Sequence, residues 1–159
     1  MLSHYKYEIT ENGSFLFYSK HNHKYELYFT EVPVPDKHGN IHAFFHFGLT
    51  KNDEYNHILY KDKYDEKIES TILFILNDIF SKFDHRILVC FYFMDDGFSR
   101  HRKITFNKWK RGLNESIVDF PNTIKYEDKE IFICLILSNE NPLKDLILEA
   151  YNNYLKELE

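Results

Sequence analysis

The chain has 159 residues, which suits one domain able to bury roughly 70% of its unfolded surface without a disulfide or metal staple. Fifteen Phe and twelve Tyr against five Gly and four Pro exclude a disordered or low-complexity chain. The net charge of -5 argues against a broadly basic nucleic-acid surface, and no run approaches the ~20 apolar residues of a membrane span.

The first 50 residues read as a β-meander. Tyr5, Tyr7 and Ile9 alternate, Asn12-Gly13 marks a hairpin because both residues tolerate positive φ, and FLFYSK follows. A polar HNHK turn leads to a strand in which Tyr25, Leu27 and Phe29 alternate. VPVPDKHGN is expected as a loop and IHAFFHFGL as the next strand. From Asp65 to Phe83 the apolar residues Ile68, Ile72, Ile75, Leu76, Ile79 and Phe83 keep helical spacing. RILVCFYF is a continuous apolar run, the pattern of a strand covered on both faces. A loop and a helix over roughly Ser99–Arg111 come next, with Gly112 as a stop. SIVDF is a short strand, Pro121–Lys129 a loop, and EIFICLILS a second buried strand. Asn141-Pro142 opens a last helix with an apolar stripe running from Leu143 to Leu158. The fold class expected is α+β in a single domain over residues 1–159: a mostly antiparallel sheet carrying about three helices.

Cys90 and Cys134 each lie in an apolar run and read as reduced core thiols. The opening MLSHYKYEIT lacks the apolar stretch of a signal peptide, so a soluble cytoplasmic protein is expected.

The stretch MDDGFSRHRKITFNKW carries most of the candidate chemistry. On a helix, Arg102, Phe106, Trp109 and Leu113 share one stripe. A charge there is costly unless paired, so Asp95 or Asp96 would clamp Arg102, with Trp109 packing beside it. A second reading is an anion or nucleic-acid site using Arg100, His101, Lys103, Lys108 and Arg111, because Gly97–Asn114 holds six Lys or Arg and no acid. A third reading uses Asp95 or Asp96 for metal or base chemistry with His101, but adjacent strand residues point to opposite faces. Elsewhere, seven of the nine histidines fall in the first 57 residues, and His42 and His46 share a strand face around Phe44. His21 and His23 flank Asn22 in a turn, yet no metal-binding motif joins the histidines. No phosphate loop, dinucleotide fingerprint or nucleophile elbow is present, so no catalytic residue, metal or cofactor is assigned.

Two resemblances follow from these residues. The strand RILVCFYF, then Asp95, Asp96, Arg100, Arg102, Phe106, Trp109 and a late SNENP, resembles a family of unknown function found mainly in Bacteroidetes, over roughly residues 60 to 145. The order meander, helix, strand, helix and hairpin resembles the second half of the GNAT acetyltransferase fold, as ITFNKWKRGL resembles a segment of those enzymes. That resemblance implies a Gly-rich pyrophosphate turn opening the central helix, where this chain reads KDKYDEKIES; cofactor binding would then be lost. The leading expectation is a non-catalytic binding or interaction domain whose aromatic sheet meets a protein partner or a second copy. The alternatives are a nucleotide- or nucleic-acid-binding protein using Arg100–Arg111, and a degenerate acetyltransferase-like domain. Membrane association is not expected.

Overall fold

A computed structural model describes residues 3–52, 65–83, 85–93, 107–108 and 110–159. Four strands open the chain: β1 (Tyr7–Ile9), β2 (Phe15–Tyr18), β3 (Lys24–Pro35) and β4 (Ile41–Lys51). Three tight turns of one kind join them. In each, the first residue's carbonyl accepts a hydrogen bond from the residue three positions on, and its N–H donates to the carbonyl of the residue four positions on. The fourth residue takes positive φ: Gly13 at 81°, Asn22 at 60° and Gly39 at 81°. This is a type I turn closed by a left-handed bulge residue. Of Asn12-Gly13, then, only the glycine uses positive φ, and VPVPDKHGN is divided: Val32–Pro35 end β3, and Asp36–Asn40 form the turn.

α1 (Glu66–Lys82) leads to β5 (Ile87–Phe93), and β6 (Ile117–Tyr126) pairs with β7 (Lys129–Ser138) before α2 (Lys144–Leu158). Residues 107–108 and 110–112 are also helical. Asp65 caps α1 by accepting from the Lys67 N–H at 2.9 Å, and Phe83 closes it by donating its N–H to the Ile79 carbonyl at 2.8 Å. The Tyr5 hydroxyl donates to the other Asp65 oxygen at 2.6 Å, and the Tyr5 N–H donates to Thr71 Oγ1 at 2.8 Å, which ties the start of the chain to α1.

The seven strands form one sheet in the order β1-β2-β3-β4-β5-β7-β6, antiparallel throughout except for the parallel pair β4–β5, which α1 connects. The fold is α+β with a mostly antiparallel sheet, as the apolar pattern indicates. Strand alternation divides the aromatics between its two faces. Phe17, Tyr25, Leu27, Phe47, Leu88, Cys134 and Ile136 pack with Ile72, Ile75, Leu76 and Ile79 of α1. Val34, Phe44, Ile87, Val89, Ile133 and Leu135 pack with Ile147, Ala150, Tyr151 and Leu155 of α2. The meander aromatics therefore fill the two cores more than they form an open face. A helix lies on each face, Phe44 is fully buried, and of the meander aromatics only Tyr18 is largely exposed.

A second correction concerns Pro121–Lys129. Residues 121–126 continue β6 in register with β7, and the turn is only Glu127-Asp128, both at positive φ (49° and 66°). β6 is an edge strand, where a proline without an N–H is tolerated.

Candidate functional site

The starts of β4 and β5, the end of α1 and the start of α2 meet around a cleft of about 550 Å³. Local sequence places each wall. The Asp36–Asn40 turn delivers β4, and one carboxylate oxygen of Asp36 accepts the N–H groups of His38 (2.8 Å) and Asn40 (3.1 Å). Its other oxygen lies 2.8 Å from Nε2 of His42. Buried Asp36 titrates below the usual carboxylate range, chiefly through the His42 hydrogen bond and then through the two backbone donors, against the opposing cost of burial. An ionised Asp36 accepts, so Nε2 of His42 carries the proton.

On the opposite wall, the Arg86 N–H donates to the Phe83 carbonyl at 2.9 Å, folding the chain back at the end of α1. This turn sets the Arg86 guanidinium over the Phe83 ring (4.7 Å to its centroid) and over Phe45 of β4 (4.2 Å). Among the described residues, no hydrogen bond or ion pair engages that guanidinium. Lys82, also on the lining, is held by Asp78 at 2.9 Å. Buried Asn141 closes the floor: its Oδ1 accepts the Leu143 N–H at 2.9 Å, and its Nδ2 donates to the His85 carbonyl at 3.5 Å. This fastens the start of α2 to the start of β5.

The rim is apolar. Ile41 (63% exposed), Phe83 (52%) and Leu143 (46%) are three of the eight large apolar side chains that the described surface exposes, and all three line this cleft. Clustering of this kind marks a binding surface where scattered apolar residues do not. The combination suits an amphipathic ligand, with an oxyanion on the guanidinium and an apolar body against the rim.

The residues singled out by sequence fall differently. Asp95, Asp96, Arg100, His101, Arg102, Lys103 and Trp109 lie outside the described residues. Lys108 and Arg111 are exposed, and Arg111 Nε donates to the Asn107 carbonyl at 3.4 Å. Lys110, counted in the basic run, bonds Asp119 of β6 at 2.9 Å, so this run is partly answered by an acid nine residues on, outside the run. His42 and His46 do share a face, but they do different things. His42 holds Asp36, whereas His46 lies beside Phe91 and Tyr154, with ring centroids 5.8 and 6.1 Å away. His23 Nδ1 meets Asn52 Nδ2 at 3.1 Å. Nothing in the sequence marked Arg86 or Phe45, because their meeting depends on the β4–β5 register.

Compared with family models, curated proteins and solved structures, the chain matches none.

Proposed function

We propose that this is a non-catalytic binding domain and that it receives its partner in the cleft at the starts of β4 and β5. One observation carries this reading. A guanidinium fixed against two rings, with no protein acid engaging it among the described residues, stands beside three exposed apolar side chains. A structural arginine is ordinarily paired; one positioned without a partner is preorganised for something that arrives. The site relocates the interaction expected of the aromatic sheet, whose rings fill the two cores. Amide spectra recorded with a set of small acidic, neutral and basic aromatic compounds test it. The expected result is chemical-shift change confined to the amides around Ile41, Arg86 and Leu143. Changes elsewhere, or none with any compound, would refute the assignment.

A second reading, a degenerate acetyltransferase-like domain, is favoured by the element order of meander, α1, β5, helical segment and hairpin. The start of α1 suits it only in degenerate form, because Asp65 occupies the helix terminus and Glu66 and Glu69 place more negative charge in the first turn. A rise in melting temperature with acetyl-CoA would show that cofactor binding is retained.

A further inference from the structure

We infer that the ligand class of the cleft is a monocarboxylate with an apolar body, rather than a phosphate ester or a neutral compound; this rests on the binding reading above. The geometry of the cation comes first. Arg86 presents a planar fork that matches the two oxygens of a carboxylate, and its position over Phe45 and Phe83 restrains the fork.

The charge balance comes second. Lys82 already faces Asp78 at 2.9 Å, and His42 already faces Asp36 at 2.8 Å. Among the described residues, Arg86 is the lining cation with no such acid. One uncompensated positive charge matches one negative charge. A dianionic phosphate would bring two charges to that one cation, with Lys82 already engaged by Asp78 and His42 by Asp36.

Size and surface come third. A space of about 550 Å³ falls within the range of small-molecule sites, and Ile41, Phe83 and Leu143 offer apolar area next to the fork.

The test compares three compounds that share one ring: benzoate, phenyl phosphate and benzyl alcohol, each titrated into the full chain and followed by the amides of Arg86 and Leu143. Benzoate is expected to bind about tenfold more tightly than benzyl alcohol, as a charge-assisted bidentate contact requires, and more tightly than phenyl phosphate. Arg86→Lys keeps the charge but removes the fork, and is expected to weaken benzoate severalfold more than it weakens benzyl alcohol. Equal binding of benzoate and benzyl alcohol would overturn the carboxylate assignment and leave the cleft as an apolar site. Tighter phenyl phosphate binding would overturn it in favour of a phosphate site. Silence from all three compounds would remove the binding reading itself. The wild-type comparison decides among these outcomes even if the variant fails to fold.

Discussion

His46 is half-buried on the α2 face, its buried Nε2 lacks a hydrogen-bond partner among the described residues, and burial lowers its pKa from the ordinary 6.5. The unfolded chain therefore takes up this proton first as the pH falls, so stability declines below about pH 6.5 until the folded ring is protonated too. His46→Phe removes both the orphaned nitrogen and the titration. It is expected to raise stability by about 1 kcal/mol near neutrality and by more at pH 5, measured by urea unfolding. A variant less stable than wild type at both values would mean that the ring has a partner. Asp36 behaves in the opposite chemical sense with the same direction in pH. Its folded carboxyl titrates below the ordinary 3.8, so the stability it contributes is complete above that value and is lost as the pH falls towards the lowered one. Asp36→Asn is expected to flatten the acid limb of the stability curve below the ordinary carboxylate value of 3.8. An unchanged limb would separate Asp36 from acid unfolding. Neither behaviour is visible in sequence, where His42 and His46 differ only by position; the register against β3 and β5 makes one a partner of Asp36 and leaves the other against rings.

Elements were legible where one local pattern decided them. The helical spacing over Asp65–Phe83 locates α1 with its two capping residues, and the runs RILVCFYF and EIFICLILS are two interior strands, with Ile87–Val89 and Ile133–Leu137 buried. β6 was not legible past Phe120, because Pro121 normally ends a strand and Glu127-Asp128 lacks the glycine expected of a two-residue hairpin. Pairing with β7 overrode both signals. The cap at the start of α1 gives a direct test at this scale. Asp65→Ala removes the bond to Lys67 N–H and the acceptor of the Tyr5 hydroxyl, and is expected to cost about 1–2 kcal/mol. A loss indistinguishable from zero would mean that the start of the chain does not dock on α1. The strand pair β5–β7 gives another test. Cys90 and Cys134 lie opposite one another in register; burial pushes the Cys90 thiol up to about 12, and burial with the nearby Asp119 raises Cys134 as well. Neither thiol is expected to react with a thiol reagent at pH 8 until denaturant is added. Rapid modification of the folded chain would contradict the packing of that strand pair.

At the scale of the whole molecule, one sheet with a helix on each face takes up most of the meander's aromatic rings, which composition alone left unplaced. Among the described residues, the end of the sheet, where β4 and β5 begin side by side, gathers three exposed apolar side chains around one cleft between the end of α1 and the start of α2. No sequence spacing links Phe45, Phe83 and Arg86 to Ile41 and Leu143; only the folded topology gathers them. The central claim is that Arg86 is held for a ligand and not for the fold. The stability of Arg86→Met, measured by urea unfolding, tests it most directly. With two ring contacts to lose among the described residues, the substitution is expected to cost about 0.5–1 kcal/mol, and the variant stays folded. A loss of about 3 kcal/mol or more, the signature of a broken buried ion pair, would make Arg86 a structural residue and would contradict the account.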